Sequence, residues 1–592
     1  MIHYKISSAN PAGHYFDISL TIPAPDPSGQ VLRLPAWIPG SYMIRDFARN
    51  IIEIDALCNN ALVVLTQQDK SSWLLENCEG PATINYRVYA WDLSVRTAHL
   101  DTTHGFFNGT SVFLEVVGQS QNPCSVEIVR PDLDDGLLWQ VATTLTRVEG
   151  SDFEFGLFQA DNYQELIDHP VEMGQFTQLE FMACGIRHDV ILTGRFQCDE
   201  ERLSVDLIKI CEQHIKMFGE PAPMSRYMFL VMVVGDGYGG LEHRSSTSLL
   251  CSRKNLPQPG QSELTEEYRS FLGLCSHEYF HSWNVKRIKP AVFDKPDLSQ
   301  EVYTPLLWAF EGITSYYDDL ALLRCGCISR ENYFELLGQT LTRVERGTGK
   351  TRQSAAESSF NAWSKFYKQD ENAANAIVSY YAKGTLIALC IDLKIRQMTD
   401  NQRSLDDVMR ILWSNFLDTG NGLTENEIQN IINQLVETDL SDFLHQLIYQ
   451  HVDLPVKELL EFISVKLDYR ESAGQQDKGG KAKNNLPACS MGANVKDSEA
   501  GLTIVSVKEN AAAQKAGISA GDTIIAINGL RANLPYYQSW LKLAEPGSKH
   551  RLVCFRRDEL MNFELELLKP EKDTAVLTVI DESNSSFNHW AN

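Results

Sequence analysis

The hydrophobic period of this chain changes along its length, and that change limits what it can fold into. Up to about residue 165, short runs alternate apolar with polar residues: HYFDISLTI, VLRLPAW, TINYRVYAW, TSVFLEVV and CSVEIVR, separated by turn-rich PAPDPSGQ and GQSQNP. Period-two alternation buries every second side chain, which predicts a sandwich-like β domain over 1–170. QLEFMACG and HDVILTG read as further strands beside the next domain. From Glu200 the spacing turns helical, with Leu203, Leu207, Ile208, Cys211 and Ile215. A buried strand, MFLVMVV at 228–234, ends in a glycine cluster, and helices dominate from 262 to about 466, giving one domain over 171–469. Residues 470–487 (centred on ESAGQQDKGGKAKNNLP) offer almost nothing to bury and predict a linker. A β-rich module follows over 488–570, and 571–592 reads as a polar tail. The expectation is a multidomain α+β protein.

The charge balance excludes some partners. Lys+Arg number 53 against 77 Asp+Glu, a net charge of −24. Nucleic acid and anionic membranes need a basic face, so neither is expected. The start, MIHYKISSANPAGHYF, carries no apolar h-region, and no run approaches ~18 apolar residues, so no membrane span is expected. Thirteen cysteines at irregular spacings, Cys325 and Cys327 among them, read as reduced thiols of a cytoplasmic protein.

The strongest local motif is HEYFH at 277–281. On a helix, His277 and His281 stand one turn apart on one face and can share a metal ion. Glu278 can reach a water held by that metal, the arrangement of HExxH zinc peptidases. Zinc needs a third protein ligand and an open position. Glu311, in LLWAFEGITSYYDDL, is a carboxylate among core-like neighbours, and a buried carboxylate must be paired or bind metal. Asp318 lies two turns on and reads either as a hydrogen-bond partner of a ligand histidine or as a solvated side chain.

HEYFHSWNVKRIKP followed by WAFEGITSYYDD resembles the glycyl aminopeptidase family, PDZ-bearing gluzincins related to the aminopeptidase N family. PAWIPGSYMIRDFARNI at 35–51, DGYGGLEHRSS at 236–246 and YYAKGTLIAL at 380–389 resemble further segments of that family, in the same order. The resemblance implies an N-terminal β domain, a thermolysin-like zinc peptidase domain and a C-terminal PDZ domain. It implies one zinc on His277, His281 and Glu311, with Glu278 as the base. Tyr381 matches the position that supplies the oxyanion donor, leaving Tyr380 as the core aromatic. Gly239, Gly240 and Glu242 match the loop that receives the substrate's α-ammonium; a bare hairpin turn is the competing reading of this segment. The loop around Trp37, Pro39, Gly40, Arg45 and Arg49 reads either as a wall of the cleft or as a brace between domains. Asn284, Lys286 and Arg287 read as supports of the metal helix.

SMGANVKDSEAGLTIVSVKENAAAQKAGISAGDTIIAINGLRA resembles a PDZ domain of the bacterial-protease type. Met491 and Gly492 then fall in the loop that grips a peptide C-terminus, unless the module serves only for packing. The functional expectation is a zinc aminopeptidase acting on peptides, with the family name implying small N-terminal residues, Gly or Ala. Two other readings stand beside it. One is an endopeptidase with a structural Glu242. The other is a PDZ-bearing binding or scaffold protein with a degenerate peptidase fold, against which the intact ligands, base and tyrosine argue.

Overall fold

The computed structural model describes the whole chain except residues 77, 133–137 and 485. It divides into two compact units: Met1–Val302 with Leu412–Leu423, and Tyr303–Ile411 with Thr424–Asn592. The division falls inside the stretch 171–469.

The first unit opens with an eight-stranded sheet. Six of its strands are β1 (Ile2–Asn10), β2 (Tyr15–Ile22), β3 (Ile51–Cys58), β4 (Ala82–Tyr89), β5 (Cys124–Val129) and β6 (Gly156–Ala160), in the order β6-β5-β1-β2-β4-β3. Alternation works as expected: Tyr4, Ile6, Phe16, Ile18 and Leu20 are buried in one core while their neighbours face outward. The expectation that every cysteine is a reduced thiol is corrected here. Cys58 and Cys78 form a disulfide, and the other eleven cysteines form none among the described residues. Antiparallel pairing sets Cys58 opposite Ala82, so the intervening excursion must return beside Cys58, and Cys78 arrives there.

A five-stranded sheet carries the GGLE segment on its edge strand. Its strands are β7 (Phe176–Ala183), β8 (Ile186–Thr193), β9 (Arg226–Val234), β10 (Tyr238–Glu242) and β11 (Ser246–Ser252), ordered β7-β8-β9-β11-β10, with helix α1 (Glu200–Phe218) between β8 and β9. The continuous apolar run of β9 lies between two parallel neighbours. β10 is an edge strand, antiparallel to β11. Helix α2 (Glu266–Phe280) packs against it. The α2 start is fixed locally, since Thr265 accepts the Tyr268 N–H at 3.1 Å and Glu266 and Glu267 face the positive end of the helix. Residues 412–423 join this unit through Trp413 Nε1 on the Pro221 carbonyl (3.2 Å) and the Leu423 N–H on the Lys289 carbonyl (2.6 Å).

In the second unit a π-helical turn, Trp308–Gly312, runs into α3 (Ile313–Arg324). Then come α4 (Arg330–Arg346), α5 (Tyr380–Met398), α6 (Val456–Phe462) and β12 (Val465–Arg470). Gly312 and Gly384 face each other so closely that a Cβ on Gly312 would stand 2.4 Å from Gly384 Cα. Two glycines at the crossing let α5 lie directly on the π-turn. The PDZ-like module is a six-stranded sheet with its own core. Five strands, β13 (Ala493–Ser498), β14 (Gly501–Val507), β15 (Thr523–Ile527), β16 (Lys549–Arg556) and β17 (Glu559–Glu566), run β13-β14-β15-β16-β17, and helix α7 (Leu534–Leu543) lies between β15 and β16 in the chain. Asn528 and Gly529 both have positive φ (51° and 81°), the turn geometry that an Asn-Gly hairpin demands.

Two expectations fail here. Residues 571–592 are no polar tail: β18 (Thr574–Val579) pairs antiparallel with β12, and α8 (Ser585–Ala591) buries Phe587 and Trp590 completely. Trp590 Nε1 donates to Tyr316 Oη at 2.9 Å, and Arg324 Nη2 donates to the Trp590 carbonyl at 3.1 Å. Two aromatics three apart in a polar run give little periodic signal, yet they close the core between α3 and α4. Nor are residues 470–487 a free linker in their described part, which excludes residue 485. Asp477 is buried, paired with Arg470, and accepts the Ala473 N–H at 2.8 Å. Burial alone would raise its carboxyl, but Arg470 and the backbone N–H groups outweigh that and hold it well below the usual carboxylate range. Arg346 adds bonds to the Asp477 carbonyl and to Ser472 Oγ, so contacts distant in sequence order this loop and composition did not reveal it.

Candidate active site

The first unit gathers His277, Glu278, His281, Glu242 and the two glycines of GGLE. His277 lies in the last turn of α2 and His281 caps its end. Their Nε2 atoms are 3.0 Å apart, with the ring planes at 88°. His281 Nδ1 lies 2.7 Å from the Asn284 carbonyl oxygen. A carbonyl only accepts, so the proton sits on Nδ1 and the lone pair on Nε2 faces His277. Two nitrogens bound to one tetrahedral zinc stand about 3.3 Å apart. The pair therefore fits a zinc ion in spacing, tautomer and chemistry.

The face of α2 turned away from His277 and His281 is held by two other histidines. His188 Nε2 lies 2.9 Å from Tyr279 Oη, and His214 Nε2 lies 2.8 Å from Ser276 Oγ. Burial pushes them down to about 4 and about 3, so both stay neutral. They fix the helix that aims His277 and His281.

Glu242 ends β10, and Glu278 lies across from it on α2. Glu242, Glu278 and His281 each bring one ligand atom into a group whose members lie within 4.8 Å of one another. All three are at most 5% exposed. Gly240 makes this approach feasible, because a Cβ there would collide with the Glu278 carboxylate. Gly40, at φ +97°, does the same for Glu242: a Cβ would stand 2.5 Å from both carboxylate oxygens. The WIPG loop thus lines the site, and it is also a brace, since Trp37 Nε1 donates to the Gln300 carbonyl at 2.8 Å. Glu242 Oε1 has no hydrogen-bond partner among the described residues. A pocket of about 100 Å³ opens beside Glu242, walled by Trp37, Ile38, Tyr42, Ile167 and Phe293.

Some supporting residues carried no sequence signal. Asp168 takes the Lys286 ammonium at 2.6 Å and the Arg244 backbone N–H at 3.0 Å. Burial would raise its carboxyl, but Lys286, His243 and Arg244 outweigh that and hold it well below the usual range. Arg96 Nη2 donates to the Gly240 carbonyl at 3.1 Å, steadying the edge strand. Arg287 donates to the Arg244 and Pro223 carbonyls at 2.6 and 2.8 Å. Lys286 and Arg287 thus tie the segment that follows α2 to Asp168, Arg244 and Pro223. A second metal-capable group, His99, Asp101 and His104, differs from the α2 pair. Asp101 Oδ1 accepts the Thr103 and His104 N–H groups and so serves a turn, while His99 Nδ1 and His104 Nε2 have no hydrogen-bond partner among the described residues.

The second unit holds Glu311 and Tyr381 as neighbours. Glu311 is buried in the π-turn and Tyr381 sits in the first turn of α5, whose start Ser379 caps through the Ala382 N–H at 3.2 Å. Irregular turns of this kind recur at functional sites. Tyr381 Oη lies 3.5 Å from Tyr367 Oη, and Phe366 stacks on its ring. Burial first, and the Glu311 charge next, keep the phenol protonated well past its ordinary range, so it is a donor. Tyr380 is fully buried between Phe366 and Tyr381. Asp318, half-buried on α3, accepts the Asp319 N–H at 2.6 Å. In the PDZ-like module Met491 is a core side chain, and the Gly492 N–H donates to Ser490 Oγ at 3.0 Å.

Comparison with known proteins agrees with this architecture. The Peptidase M61 N-terminal domain matches residues 3–175, the M61 glycyl aminopeptidase family residues 270–387, and the PDZ domain residues 489–567. An aminopeptidase N family protein from Idiomarina loihiensis is 45% identical over 100% of both chains, with a TM-score of 0.97. The chain belongs to the M61 glycyl aminopeptidase family. It is a metallopeptidase with a family-specific N-terminal β domain and a C-terminal PDZ domain, multidomain α+β as expected. Two further solved structures are more distant. An M1 zinc metallopeptidase from Deinococcus radiodurans is 12% identical over 77% of this chain and 94% of its own (TM-score 0.48). Yeast LTA4 hydrolase with Bestatin is 14% identical over 77% and 68% (TM-score 0.45), and at these scores neither carries an argument. A comparison with curated proteins gave no match. No helix among the described residues is long and apolar enough to cross a membrane.

Proposed function

We propose that this peptidase is a zinc-dependent aminopeptidase that removes small N-terminal residues, Gly or Ala, from peptides. The observation that carries the reading is Glu242: a buried carboxylate whose Oε1 has no hydrogen-bond partner among the described residues, grouped with Glu278 and His281. A buried anion with an unsatisfied oxygen is costly by itself and is satisfied by a substrate cation, the free α-ammonium. The pocket of about 100 Å³ beside it supports a small first residue, since ordinary small-molecule sites exceed roughly 300 Å³.

His277, His281 and Glu311 would hold one zinc ion. When bound, zinc polarises the scissile carbonyl and makes a water acidic near neutral pH. Glu278 takes a proton from the attacking water and passes it to the leaving amine. Tyr381 donates its phenol hydrogen to the oxygen that gains charge. Gly239 and Gly240 offer a bare backbone edge along which the substrate lies. Asp318 steadies a ligand histidine. Met491 and Gly492 lie in the loop that receives the C-terminus of a longer peptide.

Metal analysis with kinetics tests the assignment. His281→Ala is expected to lose zinc and activity together, whereas Glu278→Gln keeps zinc and loses turnover by several orders of magnitude. Full zinc occupancy in His281→Ala overturns the ligand set.

A further inference from the structure

Within the second unit lies a cleft of about 680 Å³. Its volume lies within the usual range of ligand sites. One wall is the PDZ domain, with Asn494, Tyr537 and Leu541, and the other is the helical part, with Ile377 and Val378. β13 borders it and pairs only with β14 among the described residues, so its outer edge carries backbone groups that no strand takes.

A side chain takes them. The Gln475 amide, its orientation assigned from its partners, donates Nε2 to the Val495 carbonyl at 2.8 Å and accepts the Val495 N–H on Oε1 at 2.9 Å. A residue of an added antiparallel strand makes that same pair of bonds, one donated and one accepted. The primary amide thus stands in for the main chain of a peptide. Gln475 itself is exposed. Its loop is anchored elsewhere, by Asp477 on Arg470 and on the N–H groups of Ala473 and Gly479. The amide can therefore leave the edge while the loop stays in place.

On the PDZ reading the outer edge of β13 is where a peptide adds as a strand; we propose that Gln475 occupies this edge as an internal competitor. The ligand class is a main chain that adds as a strand, recognised by its amides. This inference rests on reading the PDZ domain as a peptide binder.

The test uses the full-length, zinc-loaded protein and a short peptide ending in Val-Val with a free carboxylate. A fluorophore on the peptide N-terminus blocks aminopeptidase action. Anisotropy titrations compare wild type, Gln475→Ala and Gln475→Glu; the last keeps the size and loses the donor. Gln475→Ala loses both hydrogen bonds and Gln475→Glu sets a carboxylate oxygen against the Val495 carbonyl, so peptide binding is expected to tighten about three- to ten-fold in both variants. Hydrogen exchange over residues 493–498 should be faster in the free variants than in wild type, and slow again with peptide. Equal binding by all three proteins, or weaker binding by the variants, overturns the competitor while leaving the PDZ reading intact. No binding by any of them overturns the PDZ reading and the proposal with it.

Discussion

A methyl group at residue 240 should disable the enzyme without removing its metal. In Gly240→Ala the new Cβ would stand 2.6 Å from Glu278 Cδ and 2.8 Å from its Cγ. Non-bonded carbons rest at about 3.5–4.0 Å, so one partner must retreat by about 1 Å. The Gly240 carbonyl is held by Arg96 and β10 is bonded to β11, so the carboxylate is the part that yields. A misplacement of about 1 Å in a reacting group costs on the order of 10²-fold in rate. Overpacking itself costs about 1–3 kcal/mol of stability, which a large unit survives. The expected outcome is a folded protein with full zinc and kcat on alanine p-nitroanilide lowered about 10²-fold. Steady-state kinetics beside metal analysis reads this directly. If kcat stays within about three-fold of wild type while the protein remains zinc-loaded, Glu278 does not act from the position assigned to it.

Trp590→Ala empties a fully buried site and removes the bond to Tyr316, so it should cost about 3–5 kcal/mol and lower Tm by about 8–15 °C in differential scanning calorimetry. A shift under about 2 °C refutes the packing of α8, and a chain cut after Tyr469, which lacks β18 and α8, should be insoluble. Tyr381→Phe should lower kcat by about 10²–10³-fold with little change in Tm, whereas Tyr380→Phe should leave kcat nearly unchanged. Asp168, whose carboxyl the fold holds below its ordinary range, contributes stability that is present above the unfolded pKa of about 3.9 and is lost as pH falls below it. Asp168→Asn should therefore be less stable than wild type in urea at pH 7 and pH 5, with the gap closing below about pH 4.

Periodic and paired features were legible in the sequence. The alternation at Tyr4, Ile6, Phe16, Ile18 and Leu20 gave the first sheet, and the four-residue histidine spacing gave a shared face on α2. Asn528-Gly529 gave its hairpin because few dipeptides accept two positive φ angles. What escaped depends on single long-range contacts. Asp477 orders a polar loop through Arg470 and Arg346, and Trp590 turns a polar terminus into a core helix. Asp168 receives Lys286 from 118 residues away. No local pattern encodes such pairings. The Cys58–Cys78 disulfide depended on strand register, which irregular cysteine spacing conceals.

Aminopeptidase action depends on Glu242 as the receiver of a free α-ammonium. The most direct measurement is the ratio of kcat/KM for a Gly- or Ala-initiated peptide to that for its N-acetylated form, on the zinc-loaded enzyme. Acetylation removes the cation and leaves a buried carboxylate unpaired, a loss of about 2–5 kcal/mol, so the ratio should exceed about 30. Equal rates on the two peptides would contradict the aminopeptidase reading and leave an endopeptidase in which Glu242 is structural.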